Sequence, residues 1–341
     1  PGRVHTEGHA ARVAVEEARE QVAALFNARP REVVFTSGGT EAVVTATWMA
    51  TERGDQVVVP AVEHSSVTAA SACHRVHEVG VDRRGRVDPD EVLSAVTAET
   101  ALVHLQWANH EVGTLQPVAE VVAGCREWGV LTHVDAVAAA GHVPVDFRAL
   151  GADLMSVSAH KLGGPPGVGA LLVRRGLRLR PLLVGGDQER ARRAGYENVP
   201  AIAGFGATAE HLTGGTLTEE RSRARAQTDR VVRAVTGGHV GPGTEVLGDP
   251  GGRLPHLVCL GIAGVEAEPV LLGLDRAGVA VHSGSSCSSE ALEPSPVLEA
   301  MGVDASRSLR VSVGWSTTDA DIDAFLTALP PVLEDLLALR D

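Results

Sequence analysis

The chain has 341 residues, 44% of them hydrophobic, and a net charge of −13, which allows a large core and about two domains of ~150 residues. That charge argues against a nucleic-acid surface as the main partner. No apolar run is long enough to span a bilayer and no signal-peptide pattern opens the chain, so a cytoplasmic protein is expected. Four cysteines, Cys73, Cys125, Cys259 and Cys287, form no CxxC pair and suit reduced thiols better than a disulfide framework. Aromatics make up only 3%, so Ala, Val and Leu must build the core.

Val13 to Phe26 carries apolar residues at helical spacing and predicts an amphipathic helix that Pro30 ends. Val33-Val34-Phe35 predicts a buried strand. It runs into Thr36-Ser37-Gly38-Gly39-Thr40-Glu41 and a helix, an arrangement that is either a plain tight turn or a phosphate cup. Free amides at a helix start attract an anion, and glycine lets it come close. Gln56 to Val59 is the next predicted strand, and His64 follows it. A flat imidazole there could stack on an aromatic cofactor or move a proton, or be an ordinary loop residue.

Val76 to Val79 predicts a strand, Asp88-Pro89 a capped helix start, and Ala101 to Leu105 a strand that leads to Asn109-His110-Glu111-Val112-Gly113. Pro117 opens a helix that stops near Gly129, and Val130 to Val134 is a strand ending at Asp135. That carboxylate could hold a protonated ring nitrogen or cap a helix. Asp153 to Val157 is a strand running into Ser158-Ala159-His160-Lys161 and a Gly/Pro turn. A lysine at a strand end suits covalent chemistry if burial keeps the amine neutral, and otherwise is a solvated surface charge.

Strand and helix alternate from Val33 to Val173, which predicts a mainly parallel sheet covered on both faces. Thr40, His64, His110, Asp135, Ser158, His160 and Lys161 all follow strands. Loops at the carboxyl ends of parallel strands share one sheet edge, so these side chains can converge.

Gly185 to Tyr196 is glycine-rich and then basic. It is either a solvated loop or a surface for a phosphate or partner subunit. Ala201 to Leu212 predicts a helix, Gly214-Gly215 a break, Glu219 to Val235 a charged helix, and residues 237–253 a loop. The last third predicts a smaller α/β unit, with strands at Leu257 to Ile262 and Val279 to His282 and a helix at Pro269 to Arg276. Cys287 sits in a Ser/Gly loop where an exposed thiol can act as a nucleophile. Cys73, Cys125 and Cys259 lie in apolar patterns that predict buried, inert thiols. Arg310, in the strand-like Leu309 to Val313, is either a surface ion-pair partner or a fork for a substrate carboxylate. No dense metal-ligand cluster is present, and His74 and His77 read as solvated.

With these residues in place, the chain resembles the pyridoxal-phosphate-dependent cysteine desulfurases of the NifS/IscS kind. The resemblance rests on Thr36 to Glu41, Glu63-His64, Glu111-Val112-Gly113, His133-Val134-Asp135-Ala136, Ser158 to Lys161, Gln188-Glu189-Arg190, Ser283 to Cys287, Leu292 to Ser295 and Arg310. It implies the type I fold of pyridoxal-phosphate transferases, with a large cofactor domain over residues 1–215 and a small C-terminal domain over 216–341. It implies conversion of L-cysteine to L-alanine, with a persulfide formed on Cys287 and passed to an acceptor protein. The acceptor pathway is left open between iron–sulfur assembly, transfer-RNA thiolation and DNA phosphorothioation.

In the family pattern Lys161 carries pyridoxal 5′-phosphate, Asp135 holds the ring nitrogen and His64 stacks on the ring. Gly39, Thr40, Ser158 and His160 hold the phosphate, and Arg310 takes the substrate carboxylate. The family is dimeric, with Gly185 to Tyr196 reaching towards the partner. The chain departs from the pattern at His110 (usually asparagine), Ala138 (usually glutamine), Tyr196 (usually threonine), Val43-Val44 (usually paired asparagines) and Trp315 (usually arginine). His110 is expected to meet the cofactor's phenolic oxygen in place of asparagine. The family's N-terminal segment is absent before Pro1, which suggests that a piece precedes this sequence. Two other functions fit less well: a selenocysteine lyase or transaminase of the same fold, and a non-catalytic scaffold with a weakened cofactor site.

Overall fold

Short apolar runs, buried along their whole length, make the central strands of the larger sheet. The computed structural model describes residues 4–50, 52–284 and 294–339. In chain order the elements are α1 (Thr6–Leu25), β1 (Val33–Thr36), α2 (Gly39–Ala50), β2 (Gln56–Pro60), α3 (Ser65–Ser71), β3 (Arg75–Val79), α4 (Pro89–Ser94), β4 (Thr100–Gln106), α5 (Val118–Trp128), β5 (Leu131–Asp135), α6 (Phe147–Leu150), β6 (Leu154–Ser158) and β7 (Gly169–Val173). There follow α7 (Gln188–Ala191), α8 (Val199–His211), α9 (Leu217–Thr236), β8 (Thr244–Leu247), β9 (Leu257–Ile262), α10 (Ala267–Arg276), β10 (His282–Ser283), α11 (Pro296–Ala300), β11 (Ser308–Ser312) and α12 (Asp319–Ala338).

The chain divides into two compact units. One comprises Pro1–Val79, Asp88–Trp107 and Gln116–Leu217, the other Gly80–Val87, Ala108–Leu115 and Thr218–Asp341.

The first unit is built on a seven-stranded sheet in the order β1-β7-β6-β5-β4-β2-β3. β3, β2, β4, β5 and β6 run parallel, whereas β7 is antiparallel to both β6 and β1. The sheet is therefore mainly parallel, as alternating strands and helices predict. α2 lays Ala42, Val43, Ala46 and Met49 on Val57, Leu102, Leu154 and Leu171. Each fully buried Val, Leu or Met in that layer stabilises the fold by roughly 1.5–3 kcal/mol. α1 and α8 approach closely, since a Cβ at Gly206 would lie 2.6 Å from Ala18 Cα.

Local chemistry sets the helix ends. Asp88 caps α4 by accepting from Asp90 N–H, with Pro89 in the first turn. Gly129, at φ 70°, ends α5 in the left-handed region. α1 begins at Thr6, well before Val13, because the His5 ring accepts from Gly8 N–H at 3.1 Å and caps it.

The second unit holds a four-stranded antiparallel sheet in the order β10-β11-β9-β8. Val231 of α9, Leu274 of α10, and Phe325 and Leu329 of α12 join Val258, Leu260 and Leu309 in its core. Two expectations are corrected here. β8 lies inside 237–253, which reads as loop because only Leu247 of its four residues is buried and they form no apolar run. The strand expected over Val279 to His282 is confined to His282–Ser283, the two residues that pair with β11. Between α8 and α9 the Gly214-Gly215 break takes the form of a kink, with Gly215 at φ 101°.

Candidate active site

Within the first unit, three chain segments meet at the carboxyl edge of the sheet. α2 begins at Gly39 just after β1, β5 ends at Asp135, and β6 ends at Ser158. A Cβ built at Gly39 would lie 2.7 Å from Val137 Cγ2 and 3.7 Å from Ser158 Cβ, and one at Gly169 would lie 2.8 Å from Gly38 C. Only glycine allows this approach. The first-turn amides of α2 have no acceptors within the helix, and its positive dipole end lies there too. Thr40 is exposed at this start. Glu41 turns away from it, accepting from Ser37 N–H at 2.8 Å and pairing with Arg193 at 2.9 Å.

Asp135 is only 8% exposed. Its Oδ1 accepts from Val137 N–H at 3.0 Å and from Ser156 Oγ–H at 2.8 Å. No described residue donates to its Oδ2. A buried carboxylate with one oxygen held and the other free is suited to a protonated ring nitrogen. Ser158, buried, and His160, exposed, share a 2.9 Å hydrogen bond between Oγ and Nδ1. Partial burial, and then the charge of Lys161, lower the His160 pKa. Lys161 is exposed on the short 3-10 turn Ala159–Leu162 that follows β6, so the structure does not bury its amine. His64 caps α3: its Nδ1 accepts from Ser66 N–H at 3.1 Å and shares a 2.8 Å bond with Ser66 Oγ.

Three residues that sequence reasoning left without a role also belong to this layer. Ser156 holds Asp135. His142 hydrogen-bonds the Lys161 main chain, and burial pushes its pKa down to about 4. His133 lies two residues before Asp135, so both side chains project from the same face of β5, and its Nδ1 lies 2.9 Å from His104 Nδ1. The sequence did carry a signal for this last pair: each histidine sits two residues before the end of its strand, and the strands are neighbours.

The second unit holds the remaining candidates. Arg310, on β11, donates from Nη1 to the His110 carbonyl at 3.3 Å. Its buried Nε has no partner among the described residues. The His110 ring lies 3.5 Å from Glu111 Oε1, and Glu111 accepts from Ser295 Oγ–H. Asn109 shapes the turn by accepting from the N–H groups of Glu111 and Val112 at 2.9 and 2.8 Å. His282, the register partner of Arg310 on β10, leads towards Cys287, which with Leu292 and Glu293 lies outside the described residues.

Three further expectations are corrected. Cys73 is exposed, whereas Cys125 and Cys259 are buried and burial pushes both thiols up to about 12. His74 is half-buried, with its Nε2 enclosed, while His77 is exposed. The basic segment is only partly the solvated loop expected: residues 185–187, 190–191 and 195–196 are exposed, but Glu189 and Ala194 are buried. Glu189 is buried and takes both Nη atoms of Arg19 at 2.7 Å, and Arg190 pairs with Glu16. Of the departures from the resemblance, Val43 is core, Ala138 is half-buried, and Tyr196 and Trp315 are exposed.

The profile of the family "Aminotransferase class-V" matches residues 2–325. A cysteine desulfurase of Gluconacetobacter diazotrophicus is 44% identical over 336 residues, covering 95% of this chain and 83% of that protein. Among solved structures, a NifS-like protein superposes with a TM-score of 0.90 at 30% identity, covering 98% of this chain and 92% of its own. SspA in complex with cysteine superposes with a TM-score of 0.79 at 25% identity, covering 92% and 90%.

Proposed function

This chain belongs to the aminotransferase class-V family and is a cysteine desulfurase within it, and we propose how its residues divide the work. The family depends on pyridoxal 5′-phosphate, and the first unit suits that group. Gly39 and Gly169 let the turn before α2 pack closely on Val137, Ser158 and the β7 backbone, which brings the first-turn amides of α2 and the Ser158 hydroxyl to one sheet edge, an arrangement suited to a phosphate. The free Oδ2 of the buried Asp135 suits a pyridinium nitrogen. The convergence of α2, Asp135 and Ser158 at one sheet edge is the observation that carries the reading.

Thr40, Ser158 and His160 hold the phosphate with the α2 amides. His64 would cover the ring, Asp135 would keep its nitrogen protonated, and Lys161 would hold the cofactor covalently. His110 replaces an asparagine contact to the phenolic oxygen. Bound there, pyridoxal 5′-phosphate supplies an electron sink that weakens the Cα–H and Cβ–S bonds of L-cysteine. The Lys161 amine, freed when the substrate amine takes its place, would take the α-proton and return it to carbon. Arg310 donates to the substrate carboxylate, using the guanidinium whose Nε has no partner among the described residues. The Cys287 thiolate attacks the substrate sulfur, so that an S–S bond forms as the C–S bond breaks. The persulfide stays on Cys287 and L-alanine leaves. An acceptor protein then takes the sulfur, and the enzyme works as a cytoplasmic homodimer.

Borohydride reduction of the pyridoxal-phosphate-treated protein, followed by peptide mapping, tests the assignment. The label is expected on Lys161, and after L-cysteine treatment without reductant a persulfide is expected on Cys287. A label on another residue contradicts the first assignment, and a persulfide on Cys73 contradicts the second.

A further inference from the structure

Two imidazoles lie fully buried on adjacent strands of the larger sheet, next to a core built mostly of valine, alanine and leucine. His104 of β4 and His133 of β5 are register partners on parallel strands. Their rings meet edge-to-face with centroids 5.0 Å apart and their Nδ1 atoms 2.9 Å apart. His104 Nε2 lies 3.4 Å from Thr47 Oγ1, on α2.

The hydrogens along this chain can be assigned by elimination. Thr47 Oγ–H donates to Val43 O at 3.0 Å, so towards His104 it acts as acceptor and His104 Nε2 carries the proton. His104 Nδ1 is then bare and accepts from His133 Nδ1–H. His133 Nε2 is left bare, buried, and without a partner among the described residues. Leaving a buried acceptor unmet is unfavourable, and an apolar pair of similar volume would fill the same space without it.

What the chain connects explains why it is there. Thr47 lies on the helix that begins at Gly39, the phosphate cup. His133 lies two residues before Asp135, the partner of the ring nitrogen. The links Thr47–His104 and His104–His133 therefore run from the element holding one end of the cofactor to the element holding the other. We propose that the His104–His133 pair is a positioning device that pins α2 to β5 and fixes the spacing between the phosphate cup and the Asp135 carboxylate. Hydrogen bonds are directional, so the pair sets a position that apolar packing leaves free to slide. The inference rests on the cofactor reading above.

The test measures dissociation constants of the apo-protein for two probes, pyridoxal 5′-phosphate and inorganic phosphate, in wild type, His104→Leu and His133→Leu. The first probe spans both ends of the site and the second only the cup. Pyridoxal 5′-phosphate affinity is expected to fall about ten-fold, the worth of one well-aligned contact, with phosphate affinity unchanged. Thr47→Val, which keeps the shape and cuts only the far link, is expected to act in the same direction and covers the case in which a leucine variant fails to fold. Folded variants that bind pyridoxal 5′-phosphate like wild type overturn the proposal, as does a parallel fall for both probes, which would mean the pair merely supports α2. A wild type that binds no pyridoxal 5′-phosphate instead overturns the cofactor reading beneath it. Histidine ¹⁵N spectra give a second readout: His133 is expected as the Nδ1–H tautomer and His104 as Nε2–H, and the reverse assignment refutes the hydrogen-bond chain.

Discussion

Replacing Glu189 by glutamine removes the charge that compensates Arg19. The Arg19 and Glu189 side chains are 3% and 2% exposed, and two 2.7 Å bonds join them in a fork. Glu189 also accepts from Phe35 N–H at 2.9 Å, and the Arg19 guanidinium lies over the Phe35 ring at 4.8 Å. Loss of the Glu189 charge leaves the buried guanidinium only the half-buried Glu16 carboxylate, 3.4 Å from Arg19 Nε, and removing the buried partner of such a pair costs about 3 kcal/mol.

The same contact restrains unusual backbone. Glu189, Arg190 and Ala191 sit consecutively at φ 47°, 59° and 60°, each at a cost of about 1 kcal/mol or more for a residue with a Cβ. Once the anchor weakens, the segment is free to leave that conformation. Glu189→Gln should therefore lower the urea-unfolding free energy by ~3 kcal/mol or more and speed proteolysis within 185–196. Arg19→Met/Glu189→Gln together should cost less than the sum of the single changes, with a coupling of ~2 kcal/mol. A loss under ~1 kcal/mol with unchanged proteolysis would refute the view that this pair holds the segment.

Acid should destabilise the protein well before its carboxylates titrate. Burial lowers the pKa of His133 and His142 from 6.5 to about 4 and holds that of His104 well below its usual value. The unfolded chain therefore binds protons first, and stability is complete above pH 6.5. It falls as pH drops towards 4, by up to ~1.4 kcal/mol per pH unit for each histidine. A urea midpoint that stays flat from pH 7.5 to 5 would contradict this. In Cys287→Ser, Cys73 should react readily with a thiol reagent at pH 8, while Cys125 and Cys259 react only on unfolding, since a thiol at about 12 is about one part in ten thousand thiolate. Thiol titration with and without urea decides the point. Gly169→Ala would drive a Cβ into the backbone at Gly38 and Val157. It should cost ~1–3 kcal/mol and weaken binding of pyridoxal 5′-phosphate in a fluorescence titration, whereas unchanged affinity would mean the turn can move without harm.

Much of the larger sheet was legible because strands buried on both faces read as unbroken apolar runs. Val33-Val34-Phe35, Gln56 to Val59 and Asp153 to Val157 differ from their final strands by a residue or two. The antiparallel course of β7 was not legible, because residue type does not encode strand direction. β8 escaped notice since Thr244 to Val246 are not buried, and the hydrophobic Val279 to Val281 imitated a strand that has no pairing partner there. At the site, positions after strands located Asp135, Ser158 and Lys161. Buried polar partners were harder to see: Ser156, His104 and His142 become meaningful only once register and neighbouring loops bring them to Asp135, His133 and Lys161. Glu189 looked like part of a solvated basic loop because Arg19, its partner, lies 170 residues away. The excursions Gly80–Val87 and Ala108–Leu115 into the second unit likewise have no compositional mark.

Release of alanine from L-cysteine tests the central claim most directly. Wild type, Lys161→Ala and Cys287→Ser would each be supplied with pyridoxal 5′-phosphate and a thiol reductant, and alanine followed over time. Many turnovers are expected for wild type and none for either variant. A wild type that binds the cofactor yet releases no alanine, or a Cys287→Ser variant that keeps the full rate, would contradict the claim.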